Sequence, residues 1–186
     1  MIFALEEWPE GVETEGGLRV TYDLDRNEAH FGKAQIVGPA VVWRLDERPL
    51  VTQCHKESKA AVSVGVEFDP RIQWFARCDR VDFPPGSLAY RHVHPGPGIR
   101  RLVFGELTID RGGGMRAYRE GESWFEGAND PVLATASGAG DTAFVRVLLL
   151  PAEWAGRRTI RYIDPADEER PKLQRATVLL EEPLEL

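Results

Sequence analysis

Several signatures are scarce in this chain, and each scarcity narrows what it can be. Cysteine occurs twice, as Cys54 and Cys78. Two cysteines cannot build a disulfide framework, which leaves a single bridge or two buried free thiols in a reducing compartment. No basic run is longer than Arg100-Arg101 or Arg157-Arg158, and the 186 residues carry a net charge of −7. Nucleic acid and anionic membrane are therefore not expected partners. The longest late apolar run, Val147-Leu148-Leu149-Leu150, is far too short to span a bilayer. The N-terminus turns acidic after five residues, without a basic and then apolar leader. That predicts no signal peptide and a soluble, cytoplasmic protein. Repeats, low-complexity tracts and clear helical periodicity are missing, and Asp164 to Arg170 is the best candidate for a short helix. No glycine-rich phosphate loop precedes a helix, and no nucleophile elbow or Cys-His dyad is legible.

What the chain has is strands. At 42% hydrophobic and 28% charged it is ordinary globular material. Short alternating segments recur at turn signals spaced about eight to twelve residues apart, the pattern of a sandwich or barrel. Ala40 to Leu45, Ala60 to Phe68, Gln73 to Phe83, Arg100 to Phe104, Glu122 to Glu126 and Thr142 to Leu150 are the clearest. On the segment ending at Phe83, period two puts Phe75, Arg77, Asp79, Val81 and Phe83 on one side. Leu18 to Tyr22 reads as an edge strand and Leu50 to Cys54 as another short one. Gly112-Gly113-Gly114 marks a hairpin.

The stretch from Phe83 to Gly105 organises the rest. Two of the four histidines, His92 and His94, stand two apart, after Pro84-Pro85-Gly86 and before Pro95-Gly96-Pro97-Gly98. On a strand both imidazoles aim into one space. Imidazole is a common metal ligand, so this pair is a candidate for two bonds of a divalent metal site. His30 and His55 are isolated and are read as non-catalytic.

Gly86, His92, His94 and Gly105 fall at the spacing of the first motif of the cupin superfamily, which this chain resembles. In that motif a glutamate stands where this chain has Gly98. The stretch from Gly121 to Ala136 resembles the second motif in decayed form, with Val132 in the place of its histidine. The resemblance covers roughly Phe83 to Pro151. It implies an all-β, double-stranded β-helix or jelly-roll barrel of the RmlC-like kind: a single cupin domain with N- and C-terminal strand extensions. The expected organisation is an N-terminal extension with edge strands (1–59), the barrel (60–151), and a C-terminal arm (152–186) packing on the barrel or on a second subunit. Apolar tail strands such as Thr177 to Leu180 need cover, which makes a homodimer an expectation.

With Gly98 and Val132 at two usual ligand positions, a substitute ligand is needed. Glu126 is the candidate: it ends a strand beside the expected barrel mouth and would complete a two-histidine, one-carboxylate set for Fe, Zn, Ni or Mn. Its other reading is a surface carboxylate flanking a turn. Glu122 is a weaker candidate. Arg100 is expected to face inward and to meet either Glu126 or the carboxylate of a substrate. Tyr90, two before His92, is a candidate proton donor or pocket wall, and Trp124 lines the pocket or the core. Two functions follow. One is a cupin that binds a divalent metal and a small anionic molecule, in the class of dioxygenases, isomerases or lyases. The other is a ligand-binding or regulatory cupin whose metal site is absent or vestigial. A third, metal-free isomerase using His92 and Tyr90 as base and acid, would need a basic floor for a diphosphate.

Overall fold

A computed structural model describes residues 1–47 and 59–186. Cys54, His55 and the strand expected at Leu50 to Cys54 lie outside the described residues. No helix among the described residues is long and apolar enough to cross a membrane.

The chain builds three five-stranded antiparallel sheets. The first holds β1 (Ile2–Trp8), β2 (Val12–Asp23), β3 (Glu28–Ile36), β4 (Ala40–Asp46) and β5 (Lys59–Gly65), in the order β3-β2-β4-β1-β5. The N-terminal region is thus a complete sheet and not a pair of edge strands. Its polar composition hid β1 and β3: Glu6, Glu7, Glu28 and Lys33 sit on faces that reach water or find partners, such as Arg101 Nε on Glu7 Oε1 at 3.0 Å. Lys59–Gly65, expected to open the barrel, pairs with β1 in this first sheet.

The barrel follows. Its strands are β6 (Trp74–Phe83), β7 (Leu88–Val93), β8 (Gly98–Phe104), β9 (Glu106–Asp110), β10 (Met115–Arg119), β11 (Ser123–Glu126), β12 (Val132–Ala136) and β13 (Thr142–Pro151). Two sheets face each other, one ordered β11-β8-β13-β6 and the other β10-β9-β12-β7. Eight strands in two sheets with this alternation form a jelly roll, the architecture to which cupins belong. The tail adds β14 (Arg161–Tyr162) beside β7 and β15 (Arg175–Leu184) beside β6, so each barrel sheet gains a fifth strand on the same open side. The tail's apolar strand therefore finds a partner within the chain. The helical candidate at Asp164 to Arg170 is a single 3-10 turn, Pro165–Glu168, capped by the Asp164 side chain.

Strand periodicity gives β6, β8 and β13 two unlike faces. Outward, Ala76, Cys78, Ile99, Val145, Val147 and Leu149 pack against Phe3, Leu5, Val20, Tyr22, Val41 and Trp43 of the first sheet. Burying a large apolar side chain stabilises by roughly 1.5–3 kcal/mol, so this seam fixes the first sheet on the barrel. Its polar tips are satisfied: Trp43 Nε1–H donates to the Ile99 carbonyl at 3.1 Å, and the Tyr22 hydroxyl donates to Asn27 Oδ1. Inward, the same strands carry charges.

Candidate functional site

A cavity of about 580 Å3 lies between the barrel sheets. Its chemistry follows from one row of residues across four strands. Asp79 on β6 stands opposite Arg146 on β13, Arg146 opposite Arg100 on β8, and Arg100 opposite Trp124 on β11. All four line the cavity. Like charges directly across a strand pair repel, and these two arginines are buried, at 1% exposure for Arg100 and 7% for Arg146. Each is held by a carboxylate. Arg146 Nε and Nη2 donate to Asp79 Oδ1 and Oδ2 at 2.5 and 3.2 Å. Arg100 Nη1 donates to the Gly98 carbonyl at 2.7 Å, and its Nη2 lies 2.6 Å from Glu126 Oε2. That last contact is a close ion pair, though it lacks the alignment of a hydrogen bond.

Glu126 takes a second bond from Trp124 Nε1–H at 2.8 Å. Burial opposes its ionisation, but the Arg100 charge and the indole N–H outweigh burial and hold the carboxyl below its ordinary value. Burial also draws Arg100 down to about 10, against the pull of Glu126, and leaves it cationic at neutral pH. Gly98 makes this packing feasible. A Cβ there would come within 2.9 Å of both the Val147 carbonyl and Arg100 Nη1.

His92 and His94 both line the cavity, their ring centroids 5.1 Å apart. His92 Nδ1 faces the Tyr90 carbonyl at 2.7 Å. A carbonyl only accepts, so Nδ1 carries the proton and Nε2 keeps its lone pair. Burial lowers the His92 pKa to about 4. His94 Nε2 sits 2.9 Å from Arg146 Nη1. A guanidinium only donates, so Nε2 accepts and Nδ1–H is left for Thr159 Oγ1 at 3.1 Å. Burial, reinforced by the Arg146 charge, pushes His94 well below its ordinary pKa.

These donors do not fit a metal ion. The expected set was His92, His94 and Glu126. Here the His94 Nε2 lone pair faces a guanidinium, and Glu126 is committed to Arg100 and Trp124. Only His92 Nε2 is open. Among the described residues no group of three His, Cys, Asp or Glu side chains is placed to hold an ion. The position opposite His92 is Val132, which adds no donor.

Tyr90 is a correction. Period two put it on the face of His92, but it does not line the cavity. Between Ala89 and His92 strand β7 carries one residue more than β12 does between Ala134 and Val132. This β-bulge shifts the alternation. Ala89 faces inward in place of Tyr90, which stacks edge-on against Tyr162 and lies beneath Arg170. Glu122 lies in the turn before β11, where it accepts from the Arg119 N–H. His30 sits on β3 in the first sheet and does not line the cavity.

Sequence reasoning missed Asp79 and Arg146 as site residues. A signal existed, since Arg146 is the lone charge within the apolar run of β13. It also missed the arm. Arg77 donates to the Trp154 and Arg157 carbonyls and pairs with Glu181 of β15, which fixes residues 154–157 over the cavity. Arg157, Arg158, Tyr162, Lys172 and Gln174 thereby join the lining. The full lining has six cationic side chains against three carboxylates, in a chain whose overall charge is −7.

No family model and no curated protein matches this sequence. Solved structures do. An RmlC-like cupin from Shewanella frigidimarina matches at 18% identity and a TM-score of 0.38, over 42% of this chain and 68% of that one. The polyketide cyclase RemF from Streptomyces resistomycificus matches at 16% identity and a TM-score of 0.39, over 47% of this chain and 61% of that one. An oxalate oxidase in complex with the substrate analogue glycolate matches at 22% identity and a TM-score of 0.40, over 52% of each chain. The matched part is thus less than two thirds of the last two chains. On the strand order of β6 to β13, the chain holds an eight-stranded jelly-roll barrel, with His92 near the end of β7 and His94 just beyond it.

Proposed function

We propose that the barrel binds a small anionic molecule between Arg100 and Arg146, beside His92, and that it does so without a metal. The observation that carries the reading is the cross-strand row Asp79–Arg146–Arg100, buried inside a cavity large enough for a small ligand. Two adjacent guanidiniums in low dielectric are costly, and internal carboxylates neutralise each from its own side. An anion placed between them would meet both, would offer Arg100 Nη2 an aligned acceptor and would relieve the repulsion. Surplus positive charge around the cavity favours capture of anions by a chain that repels them elsewhere.

The metal-dependent alternative needs His94 Nε2, which here accepts from Arg146. Burial that lowers the His92 pKa to about 4 leaves Nε2 an uncharged acceptor and a weak base, so the site favours binding over proton abstraction. Tyr90 does not serve as an acid there, because it lies outside the cavity.

The test has two arms. After incubation with Fe(II), Zn, Ni or Mn under nitrogen and removal of excess, elemental analysis is expected to find far less than one ion per chain. Titration with acetate and with phosphate is expected to raise the melting temperature, and the Arg100→Met/Glu126→Gln double variant, which keeps the charge balance, is expected to lose that rise. One tightly held metal per chain, or a rise that persists in the variant, would sink the proposal.

A further inference from the structure

We infer that the ligand is an organic acid with an apolar body, a single carboxylate on an alkyl or aryl group, bound tail first. The inference rests on the anion-binding reading and adds the chemistry of the remainder of the molecule.

The cavity is layered. At the level of the charged row stand Asp79, Arg146, Arg100 and His92. One inward step further along each strand every side chain is apolar: Val81 then Phe83 on β6, Phe144 on β13, Ala89 on β7, Ala134 on β12. Ile109 of β9 completes this floor. Two residues along a strand is about 7 Å, so the floor begins one side chain from the guanidiniums. No polar side chain lines it. Water held there would lack the two to four partners that keep a buried water in place, whereas an apolar group would gain the usual transfer free energy.

The head group follows from charge. The row and Glu126 beside it contain two guanidiniums and two carboxylates, and His92 and His94 are neutral, so together they carry no net charge. A monoanion adds one charge, which Arg100 and Arg146 share. A phosphate dianion adds two beside Asp79 and Glu126. A planar carboxylate also matches the edge that guanidinium donors present, as Asp79 already does on the far side of Arg146. The cationic residues of the arm, Arg157, Arg158 and Lys172, stand on the other side of the row from the floor, where they draw the acid in.

The test uses the whole protein and calorimetric titration with acetate, butanoate, hexanoate and octanoate, then octan-1-ol and octyl phosphate. Affinity is expected to rise about threefold to fourfold per added methylene from butanoate upward. Octan-1-ol and octyl phosphate are expected to bind at least tenfold more weakly than octanoate. Ile109→Gln is expected to flatten the rise in affinity from butanoate to octanoate. Equal affinity for all the carboxylates, or tighter binding of octyl phosphate, would overturn this inference and leave anion binding standing. Equal binding of octan-1-ol and octanoate, or binding of none of the probes, would overturn the anion reading itself and this inference with it.

Discussion

The two faces of the β6–β13–β8 sheet share the same strands and diverge in everything else. The face against the first sheet is mainly apolar and its polar groups are paired, the Trp43 indole N–H with the Ile99 carbonyl and Arg101 with Glu7. The face toward the cavity carries Arg77, Asp79, Arg100 and Arg146, all buried and all partnered. A barrel of this size does not need internal ion pairs to fold, because well-packed apolar residues commonly serve as well or better. The contrast separates a face whose packing joins two sheets from a face whose charged side chains line a cavity.

Breaking the apolar face should have the largest effect. Val147→Asp puts a carboxylate where only apolar groups surround it, and the expected loss exceeds about 5 kcal/mol, seen as the absence of a cooperative melt. On the cavity face the expectation is different in kind. Arg146→Met leaves Asp79 buried without its partner and should cost about 3–5 kcal/mol. Asp79→Leu/Arg146→Met should return close to the parent stability in denaturant titrations while abolishing anion binding. If the double variant is as unstable as the single one, the charges serve the fold after all. The smallest effect is a slope. His92 has an ordinary pKa of 6.5 and about 4 in the fold. Between those values the unfolded chain binds more protons than the folded one, so stability is present above pH 6.5 and is lost as pH falls toward 4. The share of His92 is about 3 kcal/mol. His94 is shifted in the same direction, so His92→Gln should flatten the acid limb of a stability-against-pH curve without levelling it.

Much of the barrel was legible because its cues are local. The proline-glycine turns around His92 and His94, the alternation on β6 and the inward register of Arg100 can all be read within ten residues. The state of the site was not, because its decisive contacts are long-range. Arg146 meets Asp79 and His94 across 67 and 52 residues of sequence, and nothing near either histidine announces a guanidinium. The bulge that turns Tyr90 outward is set by the neighbouring strand β12, so no periodicity within β7 reveals it. The arm is expected to pack on the barrel or on a second subunit, but its part in shaping the cavity depends on Arg77, whose bonds to the 154–157 turn span 77 and 80 residues of sequence.

The tight fit at Gly98 limits what that position can hold. A glutamate placed there would drive its first carbon against the Val147 backbone, the Leu148 side chain and the guanidinium folded into that space. Engineering an ion-binding centre into this barrel would thus demand changes at Arg100, Glu126 and Arg146 together with the one at Gly98.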